Sequence, residues 1–223
     1  MRVAVVGGRG KTGRAVVAAL TARGVETVAT GRAEWDRLAE VVAGCDAAYV
    51  VAPNLHPDEP AYAATVLDGL VEAGVGRVVY HSVASPYAPQ MPHHLGKAMS
   101  EDLVRRSGLA WTLLQPGAYL QNLDLGAELQ VPYDLDATFG FADLAEVGEA
   151  AAVVLTEPGH EGATYELATR VATVRELAAE AGVHAVQVPN TTGGALGAMF
   201  DHYDRHGLPV GTRVLDMLLG RNP

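Results

Sequence analysis

Three glycines at fixed spacing, Gly7-x-x-Gly10-x-x-Gly13, follow a short apolar run from Val3 to Val6 and precede an alanine- and leucine-rich stretch from Arg14 to Arg23. No other feature of the chain narrows its folds as far. An apolar run, a glycine turn and a helical stretch, in that order, are what a dinucleotide pyrophosphate requires. Glycines let backbone N–H groups come close to phosphate, and the helix N-terminus supplies partial positive charge. Gly7, Gly8, Arg9, Gly10, Lys11, Thr12 and Gly13 are therefore expected to hold the phosphates. Gly10-Lys11-Thr12 imitates the end of a triphosphate-binding loop, but that loop needs a glycine where Val5 stands.

A second apolar run at 25–29 ends in Thr30-Gly31-Arg32. The adenosine ribose of a dinucleotide should lie just past such a run. An Asp or Glu there holds a free ribose, whereas an Arg suits a 2′-phosphate, so NADP(H) is expected over NAD(H). Arg9 can add a second positive charge. The first 32 residues carry six of the sixteen Lys and Arg and a single acid, Glu26, in a chain whose net charge is −10. That overall charge argues against nucleic acid as a partner.

Apolar runs and helix-period stretches alternate along most of the sequence, which predicts a doubly wound parallel Rossmann-type α/β sheet. Strands are expected at 2–6, 25–29, 46–52, 77–82 and 110–115, and helices near 11–23, 34–43, 60–74, 94–107 and 143–155. Between Arg32 and Asp46 there is room for one helix only. The third strand of the order 3-2-1-4-5-6 is thus expected to be missing or reduced, leaving the second strand at an edge. Ligands of open α/β sheets sit at the carboxyl ends of strands. This directs Ala52, Pro53, Asn54, His81 and Ser82 toward a cofactor. The dinucleotide-binding domain is expected over 1–155, with 117–142 contributing to the pocket. Residues 156–223 are expected to form a small substrate lobe, with strands near 163–168 and 185–188 and helices near 174–181, 191–206 and 212–219. One cysteine, Cys45, excludes an internal disulfide and reads as an apolar filler at a helix end. No apolar run approaches the ~20 residues of a membrane span. The N-terminus enters a strand at once, so no signal peptide is expected and a cytoplasmic protein is.

With these residues in place, the chain resembles the NmrA-like branch of the atypical short-chain dehydrogenases/reductases along nearly its full length. The resemblance rests on Gly7 to Gly13, on Gly74-Val-Gly-Arg-Val-Val-Tyr-His-Ser82 and on Pro92-His-His-Leu-Gly-Lys97. It also rests on Ser107 to Gly117 with Tyr119-Leu-Gln-Asn122, on Asp143-Leu-Ala-Glu-Val147 and on Asp201 to Gly207. Ordinary members of the superfamily use Tyr-x-x-x-Lys on a helix, the Tyr acting as acid or base and the Lys holding the nicotinamide ribose. Here His93 stands four residues before Lys97, a loss that many NmrA-like proteins share. Some relatives reduce quinones or related unsaturated compounds. Others sense the NADPH/NADP⁺ ratio through partner proteins.

Lys97 is the leading candidate for the ribose contact. His93 or His94 is a candidate proton donor, since imidazole exchanges protons near neutral pH. Adjacent helix residues face different ways, so at most one of them acts. His81 lies near enough to suggest a metal site, but no acidic or Cys partner has metal spacing, and none is expected. Ser82 is placed to bond substrate or the nicotinamide amide, without the elbow that a nucleophilic serine needs. Pro116 and Gly117 should touch the cofactor. Tyr119 and Asn122 should wall the substrate, with Met91, Met199, Phe200 and Tyr203 as further lining. The expected function is NADPH-dependent reduction of a small conjugated carbonyl or quinone-like compound by hydride transfer. The alternatives are a non-catalytic NADP(H)-sensing regulatory protein with a protein partner, or an isomerase or dehydratase. A homo-oligomer is also compatible with the sequence.

Overall fold

The computed structural model describes residues 1–221. The chain opens β1 (Arg2–Val6), α1 (Lys11–Ala22), β2 (Glu26–Thr30), a 3₁₀ segment Arg32–Arg37, α2 (Leu38–Val42) and β3 (Ala47–Val50). It continues α3 (Glu59–Glu72), β4 (Arg77–His81), α4 (Pro92–Arg106), β5 (Ala110–Pro116), β6 (Ala118–Tyr119), β7 (Leu129–Val131) and β8 (Phe139–Ala142). The remaining elements are α5 (Leu144–Thr156), β9 (Ala163–Leu167), β10 (Arg170–Ala172), α6 (Val174–Ala181), β11 (Ala185–Gln187), α7 (Gly194–His206) and α8 (Arg213–Leu218).

The main sheet has six parallel strands in the order β2-β1-β3-β4-β5-β9. Its central strands read as unbroken apolar runs because both faces are covered. On one side Ala4, Val6, Ala48, Val50, Val78 and Tyr80 meet α2, α3 and α4. On the other, Val3, Val5, Tyr49, Val79 and Leu114 meet α1, α5 and α8. This is the burial that forces a parallel strand to be hydrophobic throughout. Helix starts follow local chemistry: Asp143 caps α5 through the amides of Ala145 and Glu146, and Thr173 and Glu176 form a capping box on α6.

Among the described residues no strand intervenes between β2 and β3, and β2 pairs with β1 alone, so the sheet lacks the strand that the short 32–46 interval left no room for. The expected helix at 34–43 is instead a 3₁₀ segment followed by the short α2. Its entry is fixed by Glu34, whose carboxylate accepts the Gly31 amide at 2.8 Å.

Two small sheets lie over the carboxyl ends of the main strands: β10-β8-β6 and β11-β7. Their pairing crosses the boundary expected at 155/156 in both directions. β9 closes the main sheet beside β5, while β7 and β8, from earlier in the chain, pair with β11 and β10. The small lobe has a core of its own around Tyr133, Phe139, Phe141, Leu177, Tyr203 and Leu208. Met91 is wholly buried in that core. Cys45 is buried just past α2. Among the described residues, no helix is long and apolar enough to cross a membrane, and no group of three or more His, Cys, Asp or Glu could hold a metal ion.

Candidate active site

One cleft of about 770 Å³ runs along the carboxyl ends of the strands, between the glycine turn and the small lobe. The sheet order reverses between β1 and β3, and the cleft opens at that crevice. It brings together nearly all of the expected site residues. Gly7, Arg9, Gly10, Lys11, Thr12, Gly13, Arg32, Ala52, Pro53 and Asn54 line one end. His81, Ser82, His93, His94, Lys97, Pro116, Gly117, Tyr119 and Asn122 line the middle. Met199, Phe200 and Tyr203 line the far end. The exceptions are Met91, buried in the core of the small lobe, and Gly8. Gly8 lies beneath the turn, where a Cβ would stand 2.7 Å from the Val5 carbonyl oxygen and 2.9 Å from the Ala29 methyl.

The turn has the form of a phosphate cradle. Gly7 takes φ +82°, a conformation that favours glycine, and a Cβ on Gly13 would lie 2.3 Å from the Gly7 carbonyl oxygen. No side chain caps α1, so its first amides are free for an anion. These residues fit a dinucleotide pyrophosphate. Lys11 reaches across the cleft, its Nζ 3.1 Å from both the Gln121 carbonyl oxygen and Asn122 Oδ1. Asn122, expected on the substrate wall, thereby ties the 120–122 segment to the glycine turn.

Lys97 is buried, and its ammonium is held 2.8 Å from Glu59 Oε1 and donates to the His81 carbonyl oxygen at 3.1 Å. Tyr80 Oη also donates to Glu59. An ammonium carries three N–H donors, so one remains for a ligand. Glu59 reaches this place because Asp58 caps α3 and puts Glu59 on its first turn.

His81 is buried and sandwiched, its Nδ1 bonded to Tyr49 Oη and its Nε2 3.0 Å from Tyr119 Oη. Burial, with the Lys97 charge nearby, pulls its pKa down to about 3, so it is neutral. Burial drives the Tyr119 phenol well above its usual range. Tyr119 therefore stays protonated, its ring nearly parallel to that of His81 with centroids 6.3 Å apart.

His94 is also wholly buried. Its Nδ1 lies 3.2 Å from the Ser85 carbonyl oxygen and so carries the proton, and burial lowers its pKa to about 4. Burial and the Lys97 charge lower His93 as well. Burial thus disfavours the charged form of both imidazoles. Ser82 donates its hydroxyl proton to Glu101 Oε1, which also accepts from Gln115 at 2.6 Å. Ser82 can offer a ligand only lone pairs.

The model of the NmrA-like family matches residues 18–181, more than half of the chain. The chain belongs to the NmrA-like family. The match begins inside α1, beyond the glycine turn, so the cradle is an independent observation. Among curated relatives, the NAD(P)H azoreductase of Xenophilus azovorans is 34 % identical over 155 residues, which are 66 % of this chain and 53 % of that protein. Quinone oxidoreductase 2 of Escherichia coli is 32 % identical over 126 residues, 52 % of this chain and 43 % of that protein. The chain thus spans about half the length of the curated relatives it matches. Among solved structures, the Escherichia coli NADPH-dependent quinone oxidoreductase with NADPH superposes with TM-score 0.80 at 21 % identity, covering 98 % of this chain and 95 % of that one. The Citrobacter triphenylmethane reductase with NADP(H) gives TM-score 0.79 at 20 % identity, covering 100 % and 97 %. At these identities the structures establish the shared fold.

Within this NmrA-like chain, sequence reading missed Glu59, Glu101, Tyr49 and Trp35. The first two are acids that appear solvated in a sequence until the fold buries them. Trp35 rides on the 3₁₀ segment, lines the cleft beside Arg32 and packs on Tyr62 with ring centroids 5.2 Å apart. It supplies a wall near the place of the absent strand.

Proposed function

We propose that the chain is an NADPH-dependent reductase of planar conjugated acceptors of the quinone or azo-dye kind. The observation that carries this is the continuity of the cleft. It runs from a glycine cradle, past Lys97 and Tyr119, to a pocket walled by Tyr133, Phe200 and Tyr203. An acceptor stacked in that pocket lies beside the nicotinamide end. The names of the relatives, an azoreductase, a quinone oxidoreductase and a triphenylmethane reductase, support the acceptor class. Cofactor bound there supplies a hydride from its nicotinamide ring.

In this reading Gly7 to Gly13 hold the pyrophosphate, Arg32 faces the 2′-phosphate, and Trp35 walls the adenine. Ala52, Pro53 and Asn54 border the cofactor from the β3 end, and Pro116 and Gly117 from the β5 end. Lys97, fixed by Glu59, spends its remaining N–H on the nicotinamide ribose. His81 and Ser82 shape the floor beneath it. Tyr119, held by neutral His81, offers its O–H as a hydrogen bond to the reduced oxygen or nitrogen. Water completes protonation, because His93 and His94 are neutral and the anion of a reduced quinone is stable enough to take a proton from solvent.

The test is NADPH oxidation against a panel of quinones, azo dyes and arylmethane dyes, paired with calorimetric NADPH binding. Turnover of at least one class is expected. Lys97→Ala should weaken both binding and rate, while His93→Ala should leave NADPH affinity unchanged and quinone reduction nearly so. NADPH binding with no turnover on any acceptor would favour the sensing alternative.

A further inference from the structure

Beside the cleft at the end of β2 stands an acid, Glu34, that no sequence pattern pointed to. Glu34 Oε2 accepts the Gly31 amide at 2.8 Å, and its Oε1 lies 2.8 Å from Arg9 Nη2. The Arg9 stem crosses over Gly31, where a Cβ would stand 3.3 Å from Arg9 Cδ. Arg9, Gly31 and Arg32 all line the cleft at the end of β2. The Arg32 side chain makes no ion pair and no hydrogen bond among the described residues. Two guanidinium groups therefore line this end of the cleft, with one carboxylate bonded to Arg9 and to the Gly31 amide beside it.

We propose that Glu34 is a specificity-determining residue, one that damps the preference for a 2′-phosphate and lets the cleft take both NADPH and NADH. The inference rests on the cofactor reading above. With no 2′-phosphate present, Arg9 stays on Glu34 and its stem packs against the ribose. With a 2′-phosphate, Arg32 meets the dianion directly and Arg9 turns an unused N–H toward it. A guanidinium has five N–H donors, so it can do this without leaving the carboxylate. Only when the 2′-phosphate is present does the Glu34 charge oppose a dianion, and two ordinary hydrogen bonds keep that charge in place. Both of those bonds favour the ionised carboxylate, so the opposition persists through the neutral range.

The test compares dissociation constants for NADPH, NADH, 2′,5′-ADP and 5′-ADP by calorimetry, which needs no turnover. Wild type should bind NADPH and NADH within about tenfold of each other, a difference of one unit in log affinity. Glu34→Gln keeps an acceptor for the Gly31 amide but removes the charge. It should raise the NADPH:NADH affinity ratio about fivefold or more, with a parallel change between 2′,5′-ADP and 5′-ADP. Arg32→Ala should lower that ratio. An unchanged or reduced ratio in Glu34→Gln would overturn the proposal. Should that variant fail to fold, Arg9→Met serves instead: a fallen ratio supports the paired-arginine arrangement, and an unaltered one contradicts it. Failure of wild type to bind either dinucleotide would instead remove the cofactor reading itself.

Discussion

His81 and His94 carry their burial as a dependence of stability on pH. Each has an ordinary unfolded pKa near 6.5 and a folded pKa lowered by burial, to about 3 for His81 and about 4 for His94. The unfolded chain therefore binds more protons than the folded one as pH falls below about 6.5. Stability that is fully present above that pH is lost progressively toward pH 4, by which point His94 begins to charge in place. The combined loss should be on the order of a few kcal/mol. Thermal melts from pH 7.5 to 4 should show a steep fall in Tm, flattened when His94 is replaced by Phe. A Tm that stays level between pH 6.5 and 4.5 would mean that these rings are solvated. The same burial works against the acid reading that residue type alone suggested for the adjacent His93-His94. Residue type announces an ability to exchange protons, but only the packed fold says whether the proton is present.

At the scale of elements, the first β-turn-α unit does most to define the cleft, and it was legible because its constraint is local. Glycine is required where Gly7 turns and where Gly13 passes beneath the Gly7 carbonyl, and no distant contact is needed to see it. Gly13→Ala would place a methyl 2.3 Å from that oxygen. The turn must open, at a cost of about 1–3 kcal/mol of overpacking. The variant should remain folded, yet the rise in Tm that NADPH gives wild type should shrink or vanish. A full NADPH shift in Gly13→Ala would mean that the phosphates bind elsewhere. The short strands β6, β7 and β8 were not legible. Runs of two to four residues carry no periodicity, and β7 and β8 exist because β11 and β10, far along the chain, pair with them.

Across the whole molecule, the pattern of apolar runs was enough to specify the parallel sheet and its absent strand, since burial on both faces leaves a mark in every central strand. It was not enough to specify which strands belong to which lobe. β9 alternates exposed and buried positions like a lobe strand, yet closes the main sheet beside β5. The lining of the candidate cleft was legible in its glycines, Arg32 and Lys97, which lie within or beside elements of strong pattern. The buried carboxylates Glu59 and Glu101 were not, because their partners come from other elements. The central claim is that one cleft joins a dinucleotide cradle to an aromatic acceptor pocket. A crystal structure of the chain with NADPH tests it most directly. The account predicts pyrophosphate on the α1 amides, the nicotinamide ribose within hydrogen-bond reach of Lys97, and one face of the nicotinamide ring open toward Tyr133, Phe200 and Tyr203. A nicotinamide whose two faces are both covered by protein, or a cofactor lying outside the glycine turn, would contradict it.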